Sequence, residues 1–435
     1  MIALGRAAPA GILAGYLADI LFADPRRGHP VAGFGWCATA LEKLTYRDSR
    51  GSGVIHIAVL VGSLIGVSAV AQRRCGGSAQ VLLTAAATWT ALGGTTLAKT
   101  GAVMADRLDV GDIDGARALL PSLCGRDPAV LDGSGLARAS CESVAENTSD
   151  ATVAPLIWVA LAGVPGVVAY RAINTLDAMI GNRSARYLRF GWAAARLDDA
   201  ANYLPARATG VLVALCAPLV GGSPSGALRA WWRDADRHPS PNAGVAEAAF
   251  AGALGVRLGG PTQYRHELEI RPTLGEGRAP TVEDLRRAVR LSRFVQFAAA
   301  TLAPSAVAVG HLFFDRRWLG GRLRCRAMSG LGTPHPNLGV DEVTQTERGQ
   351  DPEGDPLDAV GQEGSGIRFG KRQHVQTAGL ILDQLKVGTG QWSVGDLSDL
   401  PGVDGVHLHH TVLEERSLVT FRRGPGVTEA RRDGR

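Results

Sequence analysis

The residues Val54–Gln72, VIHIAVLVGSLIGVSAVAQ, form a nearly unbroken apolar run in which His56 is the one ionisable side chain. A second run, Gln80–Ala98 (QVLLTAAATWTALGGTTLA), holds no charge, and a short basic turn separates the two. About 20 apolar residues in a helix cross the roughly 30 Å of hydrocarbon in a bilayer. The pair therefore predicts two membrane helices joined as a hairpin.

Further apolar stretches continue this pattern, the last of them weaker because Asp19 interrupts it. They are Ala151–Tyr170, Ala208–Gly222, Val295–Phe314 and Pro9–Phe22. One such stretch also suits a buried helix of a soluble protein, but four or five in one chain favour a membrane protein. The sequence predicts an all-α fold, a polytopic helical bundle in the cell (cytoplasmic) membrane. Its polar connections are long, at 23–53, 99–150, 171–207 and 223–294.

Composition excludes several classes of protein. Of 435 residues, 46% are hydrophobic and 20% are charged, which excludes disorder throughout. Six Cys residues without a CxxC pair exclude a disulfide-stapled secreted module. Residues 331–435 carry a net charge of −5 and the rest +10, mostly from Arg between apolar runs, with no basic recognition helix, so we expect no nucleic-acid binding. We predict a membrane-embedded domain at 1–328 and a polar, largely disordered C-terminal extension at 329–435.

One polar connection ends in three acidic residues, Glu142, Glu146 and Asp150, spaced four residues apart. On a helix they would share one face, where like charges repel each other. A bound Mg²⁺ or an Arg from another segment would relieve that repulsion. The alternative is a solvated acidic helix end, although Asp150 directly adjoins an apolar stretch.

Two more polar groups follow within 66 residues of Glu142. Asn174 and Asp177 share a helix face, as do Asp198 and Asn202, while Arg196 and Asp199 occupy another face. Carboxylates with Asn suit a hard cation, and Arg suits carboxylate or phosphate. Together these groups predict one site for an anionic substrate at a membrane boundary.

Other segments leave alternatives open. His29, in a turn-rich segment, is either an acid–base group or a turn residue. Asn242 precedes a run of small residues that predicts a tightly packed helix. The chain has no Walker-type phosphate loop, no GxSxG nucleophile elbow and no HExxH zinc motif.

Five segments resemble a known family, the integral-membrane adenosylcobinamide-phosphate synthases of cobalamin (vitamin B12) biosynthesis. These proteins are also called cobalamin biosynthesis protein D or B. The resemblance covers about residues 10 to 315. These segments are GYLADILFADPRRGHPV (15–31), ESVAENTSDATVAPL (142–156), AYRAINTLDAMIG (169–181), FGWAAARLDDAANYLPAR (190–207) and SPNAGVAEAAFAGALGVRLGG (240–260). Val245 and Ala246 stand where the family pattern has Trp and Pro, and the tail from about 330 has no counterpart in it.

The resemblance implies an amide-forming ligase. It would attach (R)-1-amino-2-propanol, or its O-phosphate, to a propionate carboxylate of adenosylcobyric acid, giving adenosylcobinamide or its phosphate. ATP and Mg²⁺ are implied as cofactors. The corrinoid, the aminopropanol compound and the lipid bilayer are implied partners, and enzymes of later cobamide steps are candidate partners.

For this reaction we assign hypothetical roles to the polar residues. Catalytic roles fall to Glu142, Glu146, Asp150, Asp177, Asp198 and Asp199. Mg²⁺ coordination falls to Glu146, Asp150 and Asp198. Substrate binding falls to His29, Asn147, Asn174, Arg196, Asn202, Arg207 and Asn242.

Two rival functions stay open at this point. The first is a membrane transferase that binds a Mg-diphosphate through LDDAAN (197–202), although the chain lacks a second DxxxD partner at regular spacing. The second is a transporter, against which the long connections and the lack of an internal repeat argue. A single site also requires that 151–170 or 208–222 be re-entrant, because a simple crossing would place the polar groups on opposite sides of the membrane.

Overall fold

The computed structural model describes residues 7–25, 28–263 and 268–328, with side chains described as far as residue 311. The helices are α1 Ala8–Phe22, α2 Pro30–Thr45, α3 Arg50–Arg74, α4 Gly77–Ala91, α5 Gly94–Asp109, α6 Ile113–Leu119, α7 Gly133–Thr148, α8 Ala154–Ile180, α9 Tyr187–Phe190, α10 Trp192–Ala201, α11 Tyr203–Cys216, α12 Pro224–Asp234, α13 Ala243–Leu254 and α14 Val282–Met328. Two antiparallel strands, β1 Leu258–Gln263 and β2 Leu268–Leu274, form a hairpin. The predicted C-terminal extension, 329–435, lies outside the described residues.

Five helical segments are long and apolar enough to cross a membrane, which confirms the all-α polytopic fold. They are Arg50–Arg74, Gly77–Asp109, Gly133–Ile180, Tyr203–Val220 and Val282–His311. Large apolar side chains of α3 point away from the protein, and Val67, for example, is 70% exposed. Such a surface is stable against lipid and costly in water.

The stretch 80–98, predicted as one span, is instead interrupted. Helix α4 ends at Ala91 and α5 begins at Gly94. At the break, the N–H of Gly93 donates to the carbonyl of Ala151 over 3.0 Å. Gly94 packs so closely on Thr152 that a Cβ atom would not fit. The two glycines therefore let the interrupted helix dock against the start of another apolar segment.

Helix α8 folds back on itself at Gly163, whose φ of 67° and ψ of −152° are not helical. Beyond this break, the Val164 N–H donates to Gln72 Oε1 over 2.7 Å. The Tyr170 hydroxyl lies 2.9 Å from the carbonyl oxygen of Asp150. In a straight helix, 20 residues would separate those two positions by about 30 Å. Residues 151–170 thus form a helical hairpin rather than a simple crossing. This agrees with the prediction that 151–170 or 208–222 is re-entrant.

The long polar connections are themselves largely helical. Helices α2, α6, α7, α9, α10, α12 and α13 lie within them, as do parts of α3, α5, α8, α11 and α14. The β1–β2 hairpin is an addition to the all-α prediction. Its signal is present in Leu268–Leu274 (LEIRPTL), where apolar and polar residues alternate as in a half-buried strand.

Candidate functional site

A buried polar network joins the two sides of the α8 hairpin to α10. The Tyr170 hydroxyl lies 2.9 Å from Asn202 Oδ1, as well as from the carbonyl of Asp150. Asp198 Oδ1 accepts from the side-chain amides of Asn202, over 3.0 Å, and Asn174, over 3.2 Å. Asp198 and Asn202 have no exposed surface. We call these five residues the Asp198 network.

The local sequence explains why this network assembles. Tyr170 and Asn174 are four residues apart on α8, and Asp198 and Asn202 are four residues apart at the end of α10, so each pair lies on one helix face. Trp158, on the first arm of the α8 hairpin, donates its indole N–H to the carbonyl of Ala201 over 3.0 Å. The fold-back therefore holds both arms of α8 against α10.

Asp150 enters the network through a wide helical turn. Residues Ser149–Val153 form a π-helical turn between α7 and α8. The α-helical spacing predicted for Glu142, Glu146 and Asp150 therefore holds for the first two, which lie in α7, and does not extend to Asp150. Single π-turns occur frequently at functional sites.

Arg207 and Asn242 extend the network toward α11 and α13. Arg207 Nη1 donates to Asn242 Oδ1 over 2.7 Å. The side-chain amide of Asn242 donates to the carbonyl of Asp199 over 2.8 Å. The guanidinium carbon of Arg207 lies 3.7 Å from the centre of the Tyr203 ring. Two predicted substrate-binding residues thus contact each other beside Asp199, the residue that follows Asp198.

His29 begins α2, since its Nδ1 accepts the N–H of Val31 over 3.1 Å. Its Nε2 lies 3.6 Å from Asp24 Oδ1. Although burial raises the pKa of Asp24, hydrogen bonds from His29 and Thr96 and the charge of Arg171 bring it below its usual value. His29 is therefore a helix-capping residue that pairs with an acidic group near the α8 hairpin.

Both carboxylate oxygens of Glu142 have partners inside the protein. Both Glu142 and Arg126 are 3% exposed, and the two side chains form an ion pair. The other oxygen of Glu142 accepts the N–H of Gly259 over 2.8 Å. The carboxylate thus fixes the loop before α7 to the β1–β2 hairpin.

Glu146 is half-buried, and its charge acts on a second, buried cluster formed by His238, Glu247 and Arg271. His238 Nδ1 accepts the N–H of Ser240 over 3.0 Å, and its Nε2 lies 3.7 Å from Glu247 Oε1. Burial and, less strongly, the charge of Arg271 lower the pKa of His238 to about 4, against the opposing effects of the Ser240 hydrogen bond and the charge of Glu146. The histidine is therefore neutral at physiological pH.

In the part of the chain that the structure describes, no three His, Cys, Asp or Glu side chains approach closely enough to hold one metal ion. The assignment of Glu146, Asp150 and Asp198 as Mg²⁺ ligands stays a prediction. The amides of Asn174 and Asn202 occupy one oxygen of Asp198.

The remaining predicted residues lie close by but differ in setting. Asn147 donates to the carbonyl of Ser143 in its own helix over 2.8 Å. Asp177 is fully buried near the end of α8, where Gly181 packs against it. Arg196 and Asp199 are half-buried on α10.

Sequence reasoning missed Tyr170, Arg126 and Arg271. Tyr170 had a usable signal, because it lies four residues before Asn174 in a segment already singled out. Arg126 and Arg271 had none, because their acidic neighbours are brought to them by the tertiary fold.

Comparison with known proteins identifies the family. The family model described as CobD/Cbib protein matches residues 12–292. Cobalamin biosynthesis protein CobD of Mycobacterium tuberculosis strain H37Rv is 67% identical over 293 residues, which cover 67% of this chain and 94% of that protein. The CobD proteins of Geobacter metallireducens and Rhodobacter capsulatus are 44% and 42% identical, covering 63% and 65% of this chain and 88% and 90% of their own lengths. No solved structure matches the chain. The chain belongs to the CobD/Cbib family of cobalamin biosynthesis proteins.

Proposed function

We propose that this protein is an amide-forming ligase of the cytoplasmic membrane. It joins (R)-1-amino-2-propanol, or its O-phosphate, to a propionate carboxylate of adenosylcobyric acid, giving adenosylcobinamide or its phosphate. Membership of a cobalamin biosynthesis family supports the pathway. The observation that carries the reaction is the Asp198 network, which gathers a carboxylate and its amide partners from distant segments beside Arg207 and Asn242.

The chemistry of amide formation sets three requirements. A carboxylate does not accept an amine until one of its oxygens becomes a leaving group. The amine must lose the proton of its ammonium form to a base, and both reactants must be held together. In the proposal, ATP is a co-substrate, and the oxygen lost from the carboxylate leaves on its phosphoryl group.

The residues of the network divide these tasks. The Asp198 carboxylate attracts the ammonium group of the amine and takes its proton. Hydrogen bonds from Asn174 and Asn202 hold that carboxylate in a fixed orientation. Arg207, held by Asn242 and Tyr203, binds an anionic group of the corrinoid or nucleotide. No step is assigned to a resident metal ion. Mg²⁺ would arrive with the nucleotide phosphates, a mode that needs only one or two protein carboxylates.

The test uses the full-length protein in lipid nanodiscs with adenosylcobyric acid, aminopropanol or its phosphate, ATP and Mg²⁺. Wild-type protein should form the amide product. Asp198→Asn should lower kcat by about a hundredfold or more, as expected for loss of a general base. Asp114→Asn is the matched control, because Asp114 is 96% exposed on α6.

Two results would contradict the proposal. One is a folded wild-type sample that forms no amide, and the other is an Asp198→Asn variant with full activity. A genetic test separates the enzyme from a transporter. Cells without the protein should fail to use cobyric acid and still use cobinamide.

A further inference from the structure

Arg126 is buried with most of its donor capacity unused. Its Nη2 donates to Glu142. Its Nε and Nη1 have no hydrogen-bond partner among the residues that the structure describes. Those two nitrogens carry three N–H groups, and a buried N–H group without an acceptor is costly. The free N–H groups of this guanidinium can therefore donate to an acceptor on a bound ligand.

Arg138 presents a second guanidinium to the same region. Its two terminal nitrogens donate to the carbonyls of Gly259 and Pro261, each over 2.7 Å, and its Nε is buried without a partner in the described part of the chain. The Gly259 N–H donates to Glu142, so a continuous series of hydrogen bonds joins Arg138 to Arg126. Glu142 pairs with Arg126 and is linked through Gly259 to Arg138, while the charges of Glu247 and Asp132 also act on Arg126 and Arg138, respectively.

Arg271 adds a third buried guanidinium to this region, and its Nε lies 3.7 Å from Glu269 Oε2. It is 5% exposed, and its charge and that of Arg126 act on the same buried groups, Cys124 and Glu247. The loop before α7, α7 itself and β2 therefore bring Arg126, Arg138 and Arg271 together from two distant parts of the sequence. Burial makes each arginine more selective for an anionic partner than it would be in water.

We propose that Arg126 and Arg138 form a binding site for a phosphate oxyanion. The open donors are the three N–H groups of Arg126 and the Nε–H of Arg138. A phosphate group offers three strongly accepting oxygens and close to two negative charges, whereas a carboxylate offers two oxygens and one charge. Arginine forks match the geometry of phosphate oxygens. The number of open donors thus favours phosphate over a carboxylate.

The assignment of this phosphate to a substrate rests on the proposed function. That reaction offers two sources of the same chemistry, the O-phosphate of the amine and the phosphates of the nucleotide. Glu142, predicted from the sequence as catalytic, becomes in this view a residue that positions Arg126.

The first experiment measures binding without the reaction. The midpoint of thermal unfolding of the full-length protein in detergent is followed with increasing inorganic phosphate, against sodium chloride and sodium acetate at equal ionic strength. Phosphate should raise the midpoint of the wild type more than acetate does. The apparent phosphate affinity should fall by about tenfold or more in Arg138→Gln, since charge-assisted hydrogen bonds are lost.

Two further variants distinguish a loss of phosphate binding from a loss of folding. Arg126→Lys keeps the charge beside Glu142 but loses the planar fork, and it should also lose at least tenfold in phosphate affinity. Arg290→Gln is the matched control, because Arg290 is 57% exposed and pairs only at the surface with Glu283. Unchanged phosphate affinity in Arg138→Gln and Arg126→Lys, or an equal shift from acetate, would overturn the proposal.

Competition then identifies the source of the phosphate. If saturating aminopropanol phosphate removes the shift caused by inorganic phosphate, the site holds the amine. If a non-hydrolysable ATP analogue removes it instead, the site holds the nucleotide. Displacement by neither compound would overturn the assignment to this reaction, even where the wild type forms the amide. Failure of amide formation with intact phosphate binding would instead count against the proposed function.

Discussion

Helix α3 and the segment 133–180 are both apolar enough to cross a membrane, yet they differ in burial and in continuity. In the most apolar part of α3, 28% of the residues are buried inside the protein, against 61% in 133–180. Helix α3 runs without a break and exposes Ile55, Val59 and Val67. The other segment carries Glu142, Glu146 and Asp150, includes a π-turn and folds back at Gly163.

This difference shows that apolar composition does not say what a helix faces. An apolar face against lipid needs no partner, whereas polar groups inside an apolar segment must be satisfied by the protein. The segment 133–180 satisfies them through Arg126, Tyr170 and Gly259. The polar groups of the candidate site therefore lie where an apolar helix is enclosed by others.

The largest effect expected from breaking this arrangement is at Glu142. Replacing it with Ala leaves Arg126 buried without a carboxylate, which should destabilise the protein by about 3–5 kcal/mol. Val59→Ala on the exposed face of α3 should change stability by less than about 0.5 kcal/mol. Unfolding of both variants in the same detergent measures the difference.

A double variant sharpens this prediction. Arg126→Met with Glu142→Leu removes both charges and should recover most of the lost stability, because an apolar pair needs no compensating charge. Equal instability of the single and double variants would show that lost packing, and not the unpaired charge, causes the effect.

The second effect concerns pH and His238, which packs near Glu146 of α7. Its folded-state pKa is about 4, below the ordinary value of 6.5. Between those two values the unfolded chain binds more protons than the folded protein, so stability falls as the pH is lowered from 6.5 toward 4 and then levels off. The loss should reach about 3 kcal/mol.

His238→Asn tests that assignment. Its side-chain oxygen keeps an acceptor for the Ser240 N–H but cannot titrate, so the slope of stability against pH between 4 and 6.5 should flatten. Arg271 opposes protonation of His238, whereas Glu146 and Glu269 favour it. An unchanged slope in the variant would assign the titration to another group.

The sequence predicted the membrane helices well because a long apolar run is a local signal. It also predicted a fold-back in 151–170 or 208–222, since the polar groups would otherwise lie on opposite sides of the membrane. The break at Gly93 was missed because it depends on contacts with Ala151 and Thr152, far along the chain. The ion pair of Arg126 with Glu142 and the closure of the β1–β2 hairpin over it are likewise products of tertiary packing.

The smallest effect compares two glycines. Gly163 has a φ of 67° and a ψ of −152°, a conformation that is almost restricted to glycine, so Gly163→Ala should destabilise the protein by about 1–3 kcal/mol. Gly62, within α3, has helical backbone and open space where a Cβ would lie, so Gly62→Ala should be neutral or stabilising by up to about 1 kcal/mol. The substitution is the same in both cases, and only the backbone conformation differs. Equal effects on the unfolding midpoint would mean that 151–170 is a continuous helix, and the Tyr170 hydroxyl would then not reach Asp150.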